Sequence, residues 1–169
     1  MTKHRHLIFV RHAKSSWSDH SLSDHERPLN NRGRRDAPLM GEWLAESLYN
    51  PDKFIVSTAV RAQQTARAFQ EALSLPDSNF SHEPDLYHAG MQEWIRVLEN
   101  LNPVVSNIAF FAHNPGITQI VNWLCEVNIF NIPTCGVAIV QIPQTLERID
   151  SGVGKLLHYQ TPKKLLGID

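Results

Sequence analysis

The sequence predicts an α/β protein: a largely parallel sheet covered by helices on both faces, with the last strands antiparallel at an edge. Three observations carry this. Strand and helix patterns alternate along the chain. Two short runs, Leu7-Ile8-Phe9-Val10 and Ile108-Ala109-Phe110-Phe111-Ala112, are apolar at every position and rich in branched and aromatic residues, as strands buried on both faces of a parallel sheet are. Each run is followed at once by residues able to do chemistry, Arg11-His12 after the first and His113 after the second. In open α/β sheets ligands bind outside the carboxyl ends of the strands, so two such strands, as neighbours, would bring both imidazoles and the Arg11 guanidinium into one crevice.

After the first strand, the segment from Ser15 to Arg32 is polar and carries Asp19, His20, Asp24, His25, Glu26 and Arg27. It follows neither structural period, so it reads as a long loop beside the crevice. Met40, Trp43, Leu44 and Leu48 mark the next helix, with Pro38 in its first turn or kinking it. Lys53 to Ser57 reads as a strand, and Ala62, Thr65, Ala66, Phe69, Ala72 and Leu73 form the buried face of a second helix. Trp94, Val97, Leu98 and Leu101 repeat the helical spacing before the strand at 107–112, and Ile117, Ile120, Val121 and Leu124 repeat it after. Val137 to Ile142 and, past the Asp150-Ser151-Gly152 turn, Lys155 to Gln160 complete the strands. The sequence sets no preference between a docked and a mobile tail over 163–169.

The chain's 169 residues fit a single domain, 1–169, large enough to bury a core without disulfides or metal. Sixteen basic and 17 acidic residues leave a net charge of −1, so no overall field would draw the chain to nucleic acid or an anionic membrane. The start leads into only four strongly apolar residues, too few for a signal-peptide core, and no stretch reaches transmembrane length; a cytoplasmic location is expected. Cys125 and Cys135 have neither zinc-ligand nor redox spacing and read as small buried hydrophobes.

A phosphoryl group spreads charge over three non-bridging oxygens, and planar guanidinium forks match that geometry better than ammonium groups do. Arg11 supplies one fork; Arg61, in the first turn after the second strand, supplies another where a helix start adds free N–H groups and a favourable dipole. His113 has a similar setting, because Asn114-Pro115-Gly116 opens the following helix. A neutral imidazole can attack phosphorus to give a covalent phosphoenzyme that water later hydrolyses. His12 takes that role, while His113, Arg11 and Arg61 stabilise the charge in flight, and no metal or cofactor is required.

These residues resemble the histidine phosphatases, the phosphoglycerate-mutase-like superfamily. Members have Arg-His-Gly or Arg-His-Ala after the first strand, Ser-x-x-x-Arg-Ala-x-Gln-Thr-Ala opening a helix, and a later His after an apolar strand. Here these stand as Arg11-His12-Ala13, Ser57 through Ala66, and His113. The short length and the segments Arg11 through Trp17 and Glu26-Arg27-Pro28-Leu29-Asn30 are similar to the SixA-type phosphohistidine phosphatases, to about Pro162. The resemblance implies a three-layer α/β/α sandwich, metal-independent hydrolysis through a phosphohistidine on His12, and Arg27 and Ser18 as further substrate contacts.

One departure stands out. Many members supply a carboxylate as general acid two residues after a Leu that ends a short strand, and here that offset from Leu86 holds His88. Asp85, Glu83 or Glu93 could substitute, and a histidine can itself donate a proton near neutral pH. An alkoxide needs protonation to leave, whereas phosphohistidine can be protonated on its distal ring nitrogen and leave as neutral imidazole. The reading is therefore a phosphatase for phosphohistidine on a signalling or phosphotransfer protein, such as a histidine-phosphotransfer domain, releasing inorganic phosphate. A small-molecule phosphomonoesterase using the same residues and a non-catalytic phosphate-recognition module remain its alternatives. The stretch from Leu75 to Gln92 is too short for a large lid over the site.

Two further patterns are set aside. Gly152-Val153-Gly154-Lys155 lacks the upstream glycine and the Ser/Thr of a phosphate-binding loop and reads as a turn. His4, His6, His20 and His25 lack matching ligand spacing, and the first two start a strand at the end opposite the crevice.

Overall fold

The computed structural model describes residues 3–146 and 148–168. Met1, Thr2, Glu147 and Asp169 lie outside them, so the reading of the amino terminus and the last residue of the tail are not described. The elements in chain order are β1 (His4–Arg11), α1 (Asn31–Ala45), β2 (Lys53–Val56), α2 (Val60–Leu73), β3 (Phe80–His82), α3 (Met91–Glu99), β4 (Asn107–Ala112), α4 (Gly116–Cys125), β5 (Val137–Pro143), β6 (Lys155–Gln160) and α5 (Pro162–Leu166).

The six strands form one sheet in the order β3-β2-β4-β1-β5-β6. β3, β2, β4 and β1 run parallel, and β5 and β6 are antiparallel to their neighbours. Successive side chains in a strand face opposite ways, and this alternation divides the core in two. Leu7, Phe9, Ile108, Phe110 and Ala112 pack with Trp94, Val97, Ile117, Ile120 and Leu124 of α3 and α4. Ile8, Val10, Ala109 and Phe111 pack with Ala37, Met40, Leu44, Ala62, Ala66 and Phe69 of α1 and α2. A three-layer α/β/α sandwich results, with a parallel centre and an antiparallel edge.

Three local features differ from the pattern read off the chain. α1 begins at Asn31, inside the segment that reads as loop, because the Asn30 side chain accepts a hydrogen bond from the Gly33 N–H (2.9 Å) and caps a helix whose first turns are polar. Pro38 accordingly lies inside the helix, and Leu48 lies beyond its end, exposed. β3 spans only three residues, too few to show a period. The tail docks: Thr161 caps α5, and Leu165 packs against the α1 side of the core.

The segment between β1 and α1 is tied down rather than free. Ser15 and Leu29 form an antiparallel bridge, and Asn30 donates its N–H to the Lys14 carbonyl (2.9 Å). Gly33 sits so close to this strand end that a Cβ there would collide with the Lys14 carbonyl oxygen. Gly33→Ala should therefore destabilise the protein by about 2 kcal/mol, the cost of an overpacked contact, and a thermal or denaturant melt will read it.

Candidate active site

β1 and β4 pair in parallel with Arg11 opposite Ala112, so His12 and His113 emerge side by side, ring centroids 5.1 Å apart. His12 leaves the sheet under several restraints. Its N–H donates to the Ala112 carbonyl (3.0 Å), and the Cys135 N–H is shared between the carbonyls of Arg11 (3.0 Å) and His12 (3.1 Å). The Ala13 N–H donates to Thr65 Oγ1 (2.9 Å), whose hydroxyl donates to the Arg61 carbonyl (2.7 Å), linking the strand end to α2.

The tautomer of His12 follows from its partner. Nδ1 lies 2.7 Å from the Ala13 carbonyl oxygen, which can only accept, so Nδ1 carries the proton and Nε2 keeps its lone pair. Arg61 Nε–H points at that lone pair from 3.4 Å. Burial, and then the charges of Arg61, Arg11 and Arg27, hold the His12 pKa down to about 4, against an upward pull from the Ala13 hydrogen bond. The ring is neutral at physiological pH.

His113 pairs with a serine at the strand end. Ser57 Oγ accepts the Ala59 N–H (3.4 Å) and lies 2.7 Å from His113 Nε2. With the Ser57 hydroxyl donating to Nε2, the neutral ring carries its proton on Nδ1, a buried atom that has no partner among the described residues. Burial, with His12, Arg61 and His88 beside it, pushes the His113 pKa down to about 2. Arg11 donates from Nη1 to the Ile132 carbonyl (2.8 Å), while its buried Nε also lacks a partner. Buried nitrogens with no partner among the described residues, on the two residues that flank His12 in the chain and across the sheet, are what an oxyanion site requires.

Two residues of the site carry no sequence period and were not singled out from the chain, Asp24 and Tyr87. The Asp24 carboxylate accepts from Arg27 Nη1 (2.7 Å), Arg61 Nη2 (3.0 Å) and Tyr87 OH (2.8 Å), and Arg61 Nη1 donates to the Asp24 carbonyl (2.5 Å). Burial opposes ionisation of Asp24, but the hydrogen bonds from Tyr87, Arg27 and Arg61 outweigh it and hold the carboxyl well below the usual range. Burial and the same contact push the Tyr87 hydroxyl up, so it stays a donor. The available signal was an acidic residue three positions before Arg27 in a loop beside the crevice.

Arg27 is fixed further by Ser15 Oγ (2.5 Å), the Ser16 carbonyl (3.0 Å) and the Trp17 ring, which lies 3.2 Å from its guanidinium carbon. Ser18 is exposed on the same loop and turned toward Ser16 Oγ (2.8 Å). His88 stands at the mouth, its side chain 65% exposed, 3.8 Å from Asp24 Oδ2 and 6.4 Å ring to ring from His113. The other candidate acids have local tasks. Asp85 pairs with Arg96 (2.7 Å), Glu83 accepts the Asp85 N–H (3.0 Å), and Glu93 accepts the Gly90 N–H (2.9 Å).

Of the residues in the patterns set aside, His4 and His20 are exposed and the others have local contacts. Gly152 takes a left-handed conformation in a turn before β6, His6 bonds Asn107 (2.9 Å), and His25 bonds Thr58 (2.9 Å) and packs edge-on against Tyr87. No helix among the described residues is long and apolar enough to cross a membrane.

The architecture is shared with solved proteins. The putative phosphohistidine phosphatase SixA from Agrobacterium tumefaciens superposes with a TM-score of 0.81 at 22% identity, over 94% of this chain and 98% of that one. The protein histidine phosphatase SixA complexed with tungstate gives 0.77 at 25% identity, over 95% and 99%. These likenesses define a phosphoglycerate-mutase-like α/β fold of the SixA type. The sequence model of the histidine phosphatase superfamily (branch 1) matches residues 7–97, and the chain belongs to that superfamily. An uncharacterized chloroplastic protein of Arabidopsis thaliana is 30% identical over 81% of this chain, which spans 66% of that relative's length.

The two depressed imidazoles make stability pH-dependent. Their folded pKa values lie below the ordinary 6.5, so as pH falls the unfolded chain takes up protons first. Stability complete above about 6.5 should decline as pH drops from there toward about 4 and below. In the phosphate-free protein, NMR titration should find the His12 ring unprotonated until pH approaches about 4, and denaturant midpoints should fall across the same window.

Proposed function

We propose that this protein is a metal-independent phosphohistidine phosphatase acting on a phosphorylated signalling or phosphotransfer protein. The observation that carries the reading is the neutral His12, its Nδ1–H committed to Ala13 and its Nε2 lone pair facing Arg61, with the neighbouring His113 ring keeping a buried Nδ1 that has no partner among the described residues. Nε2 attacks phosphorus in line with the leaving group; the P–N bond to the substrate imidazole breaks, and that imidazole departs neutral after protonation at its other nitrogen. Arg11, Arg61 and His113 stabilise the charge on the transferring oxygens. Water then attacks the phosphohistidine on His12, returning the free ring and releasing inorganic phosphate.

Arg27 serves as a further phosphate contact and Ser18 as a contact at the rim. His88 is the group at the mouth able to shuttle a proton, since Asp24 is held ionised. A single domain, supported by two core layers that share one sheet, belongs to the same proposal, as do a cytoplasmic location and a reaction without a cofactor.

The test pairs the wild type with His12→Ala on a phosphorylated histidine-phosphotransfer domain and on an aryl phosphate. His12→Ala should lose turnover by on the order of 10³-fold or more and trap no labelled phosphate on the protein. Arg61→Ala and His113→Ala should slow turnover by about 10²-fold while still binding phosphate. Turnover of the aryl ester alone would favour a small-molecule phosphomonoesterase; binding of phosphate with no turnover of either would favour a recognition module.

A further inference from the structure

The charge around His12 is more nearly balanced than its arginines suggest. Arg11, Arg27 and Arg61 all act on the His12 ring, and three guanidiniums around one oxyanion would bind it tightly and release it slowly. Asp24 stands against two of the three. Its carboxylate bridges Arg27 Nη1 and Arg61 Nη2 while its carbonyl takes Arg61 Nη1, so the terminal fork of Arg61 is occupied and Nε–H is left directed at His12 Nε2. Tyr87 OH donates to Oδ2, the carboxylate oxygen that Arg61 Nη2 also reaches. The ring of Tyr87 packs against His25, His88 and His113, which holds that hydroxyl in place.

We infer that Asp24 is a resident counter-anion of the site, a positioning residue that aims Arg61 and weakens the hold on inorganic phosphate by cancelling part of the guanidinium charge. This rests on the phosphatase reading only in taking a phosphoryl oxyanion as the ligand. In a site that regenerates the free enzyme each turn, excess affinity for the product slows release. A half-exposed carboxylate on a short turn of the β1–α1 segment can offset that affinity without itself touching the phosphoryl group.

Asp24→Asn retains the shape and the backbone bond to Arg61 Nη1 but removes the charge. Inorganic phosphate, measured by calorimetric titration and as a competitive inhibitor of aryl phosphate hydrolysis, should bind the variant about tenfold more tightly, equivalent to about 1.4 kcal/mol. Its KM and kcat should fall together. A structural defect alone would weaken phosphate binding, so unchanged or weaker binding in a variant that melts like the wild type would overturn the inference. Should Asn impair folding, Asp24→Ser removes the same charge and is read in the same way. A wild type that neither binds phosphate nor hydrolyses the ester would overturn the phosphatase reading as well, whereas an active wild type with unaltered phosphate binding in Asp24→Asn would overturn the role of Asp24 alone.

Discussion

The parallel register of β1 against β4 fixes everything that follows at the top of the sheet. Arg11 stands opposite Ala112, so the residues that continue both strands, His12 and His113, leave the sheet at the same level. Side chains alternate between faces, so a slip of one residue in either strand would turn its phenylalanine, Phe9 or Phe110, from the α3–α4 side to the α1–α2 side and misplace the imidazole that follows. Burial on both faces makes such a slip costly, because every position from Leu7 to Val10 and from Ile108 to Ala112 is almost wholly removed from water. Core packing and site geometry are thus enforced by the same pairing. The first supplies the energy that holds the second in place.

On that frame the site solves an electrostatic problem. An anion-binding pocket needs cations, and cations oppose protonation of a nearby imidazole. For a nucleophile this opposition is useful, since Nε2 must keep its lone pair. Burial and the guanidiniums act in the same direction on His12 and His113, while the Ala13 carbonyl, able only to accept, chooses which nitrogen of His12 carries the proton. Two like rings therefore stand in different settings. His12 presents a lone pair, and His113 presents a buried nitrogen with no partner among the described residues.

The alternation of strand and helix, the doubly buried strands, and the residues closing them were legible in the sequence because they follow periods or stand beside them. The start of α1 was not, because its capping residue precedes two turns of polar side chains that carry no apolar stripe. β3 escaped for want of length. Asp24 and Tyr87 were hidden for a different reason. Their contact joins two loop segments far apart in the chain, and loops place side chains by hydrogen bonds to neighbours rather than by a repeat. Arg61 was visible as a cation at a helix start, but the direction of its fork depends on Asp24, which no local pattern reveals.

The state of Asp24 bears on the kind of leaving group the site can serve. A carboxylate held ionised by two guanidiniums and a phenol cannot donate a proton, and Asp85, Glu83 and Glu93 are engaged elsewhere. A phosphate ester with a poor leaving group would depend on the exposed His88 or on water at the mouth. Phosphohistidine makes a smaller demand, because the nitrogen that must gain the proton is the ring nitrogen not bonded to phosphorus. Among the described residues no carboxyl deep in the pocket is free to donate a proton, and the mouth is exposed; both fit the proposed function, in which the leaving group collects its proton outside the site.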